Sequence, residues 1–280
     1  MKLIRLSLAV LMAGAFSLSA GTLAQFRTVF GDIEVELYDQ DKPVTVKNFI
    51  RYVQSGRYQN EFSHRLVPGF VIQGGGFSVT NRGTTNWAIN TIETYPPIVN
   101  EFGVGKRYSN VYGTIAMAKQ GGNTNSASSQ WFFNCANNSF LDAADSNSLF
   151  VVFGRVVRGT NALNALNNFQ YWNGTQASNL VLHQYYQAPF EDLPLLLPIV
   201  TDTNFVFLDI TLLQVAVKPM PGAAKEISWN SAAGMTNIVE FTTNFPPAWN
   251  TLLRTNGTGG RIAVVDTAAT PRRFYRVRVE

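Results

Sequence analysis

Two polar side chains that could bind a ligand lie inside the apolar stretch of residues 62–76. Arg65 and Gln73 each stand between hydrophobic neighbours, where side chains of these types are usually paired or directed at a ligand. The turn signal Pro68-Gly69 separates them, so the stretch is predicted to form two short strands joined by a turn. Such a pair of strands would present one forked donor, the guanidinium, and one amide on a common side.

The position of Phe70 puts a condition on this prediction. Strict alternation places Val71 and Gln73 on one face of the strand and Phe70 on the other. For Phe70 to join them, the pleat must break near the turn. The three glycines at positions 74–76 allow the backbone a further kink after Gln73.

A second stretch repeats this mixture of amides and aromatic rings among strand residues, at positions 116–119 and 126–134. Together the two stretches resemble the cyclophilin family of peptidyl-prolyl isomerases. The family signature Phe-His-Arg-x-x-Pro-Gly-Phe-x-x-Gln-Gly-Gly is matched over residues 62–75, with Ser63 as one extra residue between the phenylalanine and the histidine. The resemblance covers about residues 25–217.

Members of this family accelerate rotation about X-Pro bonds, whose barrier of about 18–20 kcal/mol comes from amide resonance. A catalyst needs an apolar pocket for the proline ring, an anchor for a carbonyl, and a donor that meets the prolyl nitrogen as its lone pair localises. The resemblance implies that Arg65 is the essential arginine, that Gln73 orients it and contacts the substrate backbone, and that Phe70 is a wall of the proline pocket. It also implies a substrate groove formed by Val71, Ala118, Lys119, Gln130, Phe132, Phe140, Leu141 and Phe150.

Besides Val71, an apolar residue where many members have methionine, three of these positions depart from the family pattern. Lys119 occupies the place of an asparagine that binds substrate through its backbone, so the lysine side chain need not matter. Phe140 replaces the tryptophan of many eukaryotic members, a change associated with weaker cyclosporin binding. Phe150 replaces a pocket histidine and makes the pocket more apolar. The donor and the walls that hold the proline ring remain, so catalysis is expected to survive.

Each site residue also has a plainer interpretation if the resemblance is set aside. The phenylalanines fit an ordinary core, Arg65 fits a surface ion pair, and Gln130 fits a strand amide with its hydrogen bonds satisfied. His64 is interpreted as a structural hydrogen-bonding residue. The match to the whole signature favours the functional interpretation of Arg65, Gln73 and the aromatic rings.

The composition is that of a globular chain, with 280 residues of which 46% are hydrophobic. Removing Lys2 and Arg5 from the 22 basic residues leaves 20 against 18 acidic ones, a net charge of +2, so a nucleic-acid partner is not expected. The arginines within residues 272–278 are interpreted as the solvated face of a strand rather than a polyanion site. The single cysteine, Cys135, excludes an intramolecular disulfide and is interpreted as a buried core residue. With only two histidines besides, no metal and no cofactor are expected.

Residues 1–24 have the layout of a secretory signal peptide. Lys2 and Arg5 precede an apolar core over residues 6–18, and small residues follow up to Ala24. Cleavage after Ala24 is favoured, and the small residues Ser19 and Ala20 offer other sites. Because the apolar run is short and no later stretch would hold the mature protein in a bilayer, we expect export, to a periplasm or outside the cell, without stable membrane insertion.

The resemblance implies a mostly β fold, a closed antiparallel eight-stranded barrel capped by two helices. Helical spacing over residues 43–56 predicts the first of them, with Pro43 in the first turn and Gly56 as the C-terminal cap. A second, short helix is predicted from a capping Thr160 to Leu166. Strands are predicted over residues 26–30, 33–37, 111–118, 130–135, 149–157 and 205–217, with irregular segments over 77–110 and 167–204.

The chain beyond the isomerase domain of residues 25–217 is predicted to form a separate module. Residues 218–224 are predicted to be a linker, and residues 225–280 a small fibronectin-like β-sandwich of short strands. The ending at residues 271–277 loosely resembles terminal β-modules appended to exported proteins of some bacteria. No catalytic grouping is visible in this module, so docking to a surface partner is the hypothesis for it.

The leading functional hypothesis is an exported prolyl isomerase that acts on proline-containing polypeptides and assists the folding of other exported proteins. A second hypothesis is a proline-recognising binding module or chaperone with little turnover. It is suggested by Phe150 and by the long irregular segments.

Overall fold

The structure is a computed structural model. It describes residues 22–143, 148–171, 181–183, 189–213, 215–231, 236–244, 247–258, 261–268, 270 and 272–279. Apart from residues 22–24, the predicted leader lies outside the described residues. In the part of the chain that is described, no helix combines the length and the apolar character needed to cross a bilayer.

The elements up to residue 167 are, in chain order, β1 (Leu23–Thr28), β2 (Gly31–Leu37), α1 (Pro43–Gln54), β3 (Arg65–Val67), β4 (Val71–Gly74), β5 (Phe77–Thr80), β6 (Ala88–Thr91), β7 (Thr114–Met117), β8 (Trp131–Asn134), β9 (Val152–Arg158) and α2 (Thr160–Asn167). Those that follow are β10 (Gln170–Tyr171), β11 (Val181–His183), β12 (Leu193–Leu195), β13 (Asp209–Leu213), β14 (Val215–Pro219), β15 (Lys225–Asn230), β16 (Thr236–Thr242), β17 (Asn250–Asn256), β18 (Arg261–Asp266) and β19 (Phe274–Val279).

Eight antiparallel strands form the main sheet, in the order β13-β1-β2-β9-β7-β8-β4-β3. The expected mostly β fold with two α-helices is confirmed for the described residues, and the alternating burial predicted for β2 is observed. Apolar side chains on the inner face of this sheet pack with α1 and α2 into the main core. The sheet therefore presents one dry face to the helices, and its other face is not part of this core.

The predicted closed barrel is wrong, because the two outer strands of the main sheet, β13 and β3, are not paired with each other. Within the described residues, the gap between these two strands is crossed by an isolated bridge between Phe62 and Phe207. The outer edge of β3 is contacted by another segment of the chain: the Leu66 N–H donates to the backbone oxygen of Asp192 at 2.8 Å. A strand whose edge is already occupied cannot close the barrel with β13.

Helix α1 is held by its apolar face and by its ends. Val46, Phe49 and Tyr52 lie on the buried face, and the ring of Phe49 stacks on that of Phe26 in β1 with centroids 5.9 Å apart. Pro43 lies in the first turn as predicted. Ser55 ends the helix, and Gly56 follows it with φ of +73°, a left-handed conformation that glycine adopts without strain.

The N-terminus of α1 is capped by a residue from a distant loop. The Val44 and Thr45 N–H groups donate to the two carboxylate oxygens of Glu101, at 3.1 and 2.7 Å. The buried ammonium of Lys42 donates to the backbone oxygen of Glu101 at 2.9 Å. Because the first amides of a helix lack intrahelical acceptors, this contact satisfies groups that the local sequence leaves open.

Several local predictions need correction. Residues 77–110, predicted to be irregular, contain the strand pair β5–β6. Gly159, with φ of +87°, precedes α2 and Thr160 is already helical, so the predicted threonine cap is wrong. The predicted strand over residues 205–217 is divided between β13, which pairs with β1, and β14, which pairs with β15. Lys218 and Pro219 therefore belong to a strand; Pro219 is accommodated because β14 is an edge strand.

The C-terminal strands form two three-stranded sheets, β14-β15-β18 and β17-β16-β19. Side chains from both sheets share one apolar cluster around the fully buried ring of Trp229. The fibronectin-like sandwich stays a prediction. Two of the C-terminal arginines are paired rather than simply solvated: Arg273 binds Asp266 at 2.7 Å and Arg276 binds Glu240 at 2.5 Å.

Glu61 is a fully buried carboxyl beside the main sheet, and it should make stability depend on pH. Burial raises its pKa well above the ordinary value of 4.5, while the Gly75 N–H acts in the opposite direction. The folded chain thus keeps a proton that the unfolded chain releases, so stability is full below pH 4.5 and falls as pH rises towards the folded pKa. We expect Glu61→Gln to raise the free energy of unfolding at pH 7 by about 1–3 kcal/mol, and by almost nothing at pH 4.

Urea unfolding of the two proteins at both pH values measures this difference. Glu93→Gln is the matched control, because the side chain of Glu93 is 82% exposed and should show little change at either pH. An equal gain from Glu61→Gln at pH 4 and pH 7 would contradict the assignment of a buried, protonated carboxyl.

Candidate functional site

One row of side chains crosses the outer face of the main sheet. Strand pairing sets Arg65 opposite Gln73, Gln73 opposite Phe132, Phe132 opposite Ala116, and Ala116 opposite Val152. Directly opposed residues point to the same side of a sheet, so all five lie on the outer face. Their neighbours along the strands point inward and are buried in the main core. The register of the strands therefore places the guanidinium of Arg65, the amide of Gln73 and the ring of Phe132 in one line.

The residues of the predicted proline pocket form an apolar cluster around Phe132 on this face. Its buried residues are Val71, Ala116, Phe132, Leu141 and Val152, and its partly buried ones are Tyr38, Phe70, Tyr108, Ala118 and Phe150. The rings of Phe132 and Phe150 meet edge to face, with centroids 5.7 Å apart. Phe140 is 59% exposed and extends the pocket outward by stacking on Phe70 at 5.8 Å. The predicted groove residues that carry apolar side chains are thus brought together.

Phe70 joins this pocket because the pleat breaks at the turn, as required. Strand β3 ends at Val67 and β4 begins at Val71, and the Phe70 N–H donates back to the Val67 oxygen at 3.0 Å. Gly69 takes φ of +69° in this turn. The ring of Phe70 consequently lies on the same face as the side chains of Val71 and Gln73.

Three buried asparagines hold the walls of the pocket, and sequence reasoning missed them. The Asn138 amide nitrogen donates to the Phe70 oxygen at 2.9 Å and to the Asn134 side-chain oxygen at 2.8 Å. Asn134 donates to Asn110 at 3.1 Å, and Asn110 donates to the Phe150 oxygen, also at 3.1 Å. Nothing in the sequence marks these three residues, because asparagine is more often an exposed turn residue.

The polar end of the row is a chain of neutral hydrogen-bonding groups. Gln73 donates to the Gln130 side-chain oxygen at 2.6 Å, and His64 also bonds to Gln130. Burial, helped by the charge of Arg65, lowers the pKa of His64 to about 4, while the bond to Gln130 acts in the opposite direction. His64 is therefore neutral near pH 7, which agrees with the structural role expected for it. Lys119 lies over the Phe150 ring, its ammonium nitrogen 4.5 Å from the ring centroid.

Arg65 itself is only partly buried and takes part in an ion pair. Its side chain is 37% exposed, and its Nε lies 3.5 Å from Oδ2 of Asp192. No sequence pattern pointed to Asp192, which lies in the segment predicted to be irregular. Beside this pair is a pocket of about 250 Å³, lined by His64, Arg65, Gln73, Phe77, Gln130, Pro189, Glu191 and Asp192.

Groups that could support other chemistry are scarce near the site. Cys135 is buried, and burial raises its pKa to about 12, which agrees with the core role predicted for it. Within the described ranges, no three His, Cys, Asp or Glu side chains are grouped as a metal site requires. The chemistry that this face supports is donation of hydrogen bonds beside an apolar, aromatic cluster.

The amino-acid sequence of this chain is similar to those of known proteins. The family described as cyclophilin type peptidyl-prolyl cis-trans isomerase/CLD matches residues 23–184. Peptidyl-prolyl cis-trans isomerase A of Dickeya dadantii is 40% identical over 57% of this chain and 78% of its own length. A peptidyl-prolyl cis-trans isomerase of Acinetobacter baylyi is 36% identical over 60% of this chain and 83% of its own length.

Among solved structures, a cyclophilin type peptidyl-prolyl cis-trans isomerase from Cryptosporidium parvum aligns with 68% of this chain and 96% of its own. The TM-score is 0.43 and the sequence identity is 22%. The family match extends over more than half of the chain, and the two bacterial relatives are matched over most of their length. The chain belongs to the cyclophilin-type peptidyl-prolyl cis-trans isomerase family.

Proposed function

We propose that this chain is a peptidyl-prolyl cis-trans isomerase that acts on proline-containing polypeptides. The observation that carries the proposal is the row on the outer face, which sets the Arg65 guanidinium and the Gln73 amide in line with the apolar cluster around Phe132. Membership of the family supports the same activity.

The reaction needs no covalent chemistry, so the residues act by binding and by donation. The proline ring of the substrate packs against Phe132, Phe70 and Leu141, where water is excluded. Gln73 holds the substrate backbone. As the X-Pro bond twists, resonance is lost and the lone pair localises on the prolyl nitrogen, which becomes an acceptor for Arg65. Because this contact is stronger in the twisted state than in either planar isomer, it lowers the barrier.

A chromogenic X-Pro peptide assay of the chain tests the proposal. The rate of cis-to-trans conversion should rise in proportion to the protein concentration, and magnetisation exchange between the cis and trans NMR signals of the peptide should report the same catalysis at equilibrium. A rate equal to the uncatalysed one at all protein concentrations would sink the proposal.

The second candidate is a proline-recognising binding module or chaperone with little turnover. The apolar Phe150 and the ion pair that occupies Arg65 Nε are the observations that favour it. Saturable binding of an X-Pro peptide, observed by chemical-shift change and without exchange between its cis and trans signals, would favour this function over isomerisation.

We also propose that the chain is exported and assists the folding of other exported proteins, because residues 1–24 have the layout of a leader. The fold bears on where the leader ends: Ala24 is fully buried in β1, and the Thr22 N–H donates to Asp39 at 2.7 Å. Cleavage after Ala24 would remove two residues of β1, whereas cleavage near Ser19 or Ala20 would spare it.

The expected result is therefore a secreted chain that begins at or before Thr22, as read by N-terminal sequencing of the protein recovered after expression with its own leader. A chain that keeps Met1 and remains inside the cell would refute export. A chain that begins at Gln25 would show that β1 tolerates the loss of its first residues.

For the C-terminal strands, docking to a surface partner stays a hypothesis. An unchanged location of the protein after deletion of residues 218–280 would remove its support.

A further inference from the structure

The segment that enters β12 makes two contacts with β3 through a single residue. The backbone oxygen of Asp192 accepts from the Leu66 N–H at 2.8 Å, and its carboxylate lies 3.5 Å from Arg65 Nε. Main chain and side chain of Asp192 thus meet two consecutive residues of the strand that carries the guanidinium. This register fixes where the carboxylate stands relative to Arg65.

The segment is itself anchored by packing. The Phe190 ring lies 4.7 Å from the ring of Phe77 and 6.4 Å from that of Phe62, measured between centroids. Leu193 and Leu195 are at most 1% exposed and belong to a second apolar cluster, which also contains Phe62. The carboxylate is therefore supplied by a packed element rather than by a free loop.

We propose that Asp192 is a positioning residue for the isomerase reaction, an inference that rests on the proposed function. A guanidinium offers five N–H donors in a planar fork, of which Nε carries one. With Asp192 Oδ2 placed 3.5 Å from Nε, the terminal nitrogens are the donors that this proposal assigns to the substrate on the outer face. A free arginine side chain loses rotamer entropy when it is fixed in one position, and holding it before the substrate binds removes part of that cost from the reaction.

The opposite role would be competition, in which the carboxylate draws the guanidinium away from the substrate. The two roles predict changes of opposite sign when the charge is removed. The exposed fractions of the two side chains, 37% for Arg65 and 19% for Asp192, mark a partly solvated pair that adds little to stability. Asp192→Asn should therefore fold normally, since it also keeps the backbone contact to Leu66.

The test compares Asp192→Asn and Asp192→Glu with a matched control, Asp32→Asn. Asp32 pairs with Nε of Arg27 at 3.2 Å in the β1–β2 hairpin, so this control removes the same charge from the same type of contact away from the site. We expect Asp192→Asn to lower kcat by about 5- to 20-fold with little change in KM. Without the carboxylate, the guanidinium is no longer held where it meets the prolyl nitrogen of the twisted X-Pro bond. Asp192→Glu should recover part of the loss, and Asp32→Asn should leave both constants unchanged.

The NMR signal of the Arg65 Nε–H gives a second readout that a merely structural role would not move. It should be slowed in solvent exchange in the wild type and in Asp192→Glu, and should exchange rapidly in Asp192→Asn. An active wild type whose Asp192→Asn variant is equally fast or faster overturns the inference and leaves the proposed function standing. A wild type with no isomerase activity overturns both.

Discussion

Replacing Arg65 with alanine should lower kcat/KM for an X-Pro peptide by about 100- to 1000-fold while the fold stays intact. The guanidinium is the charged donor in the row that crosses the outer face, and its contact with the prolyl nitrogen forms only as the bond twists. Most of the loss should therefore appear in kcat rather than in KM. Arg65→Lys should recover little, because an ammonium is a point charge without the planar fork that Asp192 and the substrate can share.

The control for this prediction is Arg27→Lys, which alters an arginine paired through Nε with Asp32 at 3.2 Å in the β1–β2 hairpin. It should leave kcat/KM unchanged. Thermal unfolding should show that Arg65→Ala and Arg65→Lys keep the fold, since the ion pair of Arg65 is partly exposed and contributes less than about 1 kcal/mol to stability. An Arg65→Ala variant that isomerises peptides as fast as the wild type would remove the donor mechanism altogether.

What the sequence could predict was set by interactions close along the chain. Arg65, Phe70 and Gln73 fall within nine residues of one hairpin, so their types, the turn signal and the glycines together indicated both the local fold and the site. Alternating burial in β2 and helical spacing in α1 are likewise local patterns, and both elements were found where the pattern placed them.

What the sequence could not predict depends on contacts between distant segments. Glu101 caps α1 from 56 residues away, and nothing near either residue signals the pairing. Asp192 occupies the edge of β3, and this occupation is also why the sheet stays open where a closed barrel was expected. Polar groups that satisfy one another across the fold follow no sequence period, so they become visible only in the structure.

The asparagine network under the pocket is the clearest case, and it leads to the second large effect. Asn138→Ala should lower the free energy of unfolding by about 2–4 kcal/mol, because the buried oxygens of Phe70 and Asn134 each lose a donor. Asn138 is 2% exposed, so water cannot replace the lost bonds without entering the site. The same change should raise KM several-fold, since the Phe70 turn loses one of the two donors that hold its carbonyl, the other being the Cys135 N–H at 2.8 Å.

Urea unfolding and peptide kinetics measure the two effects, with Asn161→Ala as the matched control. Asn161 is an exposed residue of α2, where alanine is the better helix former, so the same chemical change should there cost nothing in stability or in KM. A variant that loses stability but keeps the wild-type KM would show that the network supports the fold without shaping the pocket. If the free energy of unfolding falls and KM rises in the same variant, the walls that grip the proline ring are held in place by buried amides that no sequence period reveals.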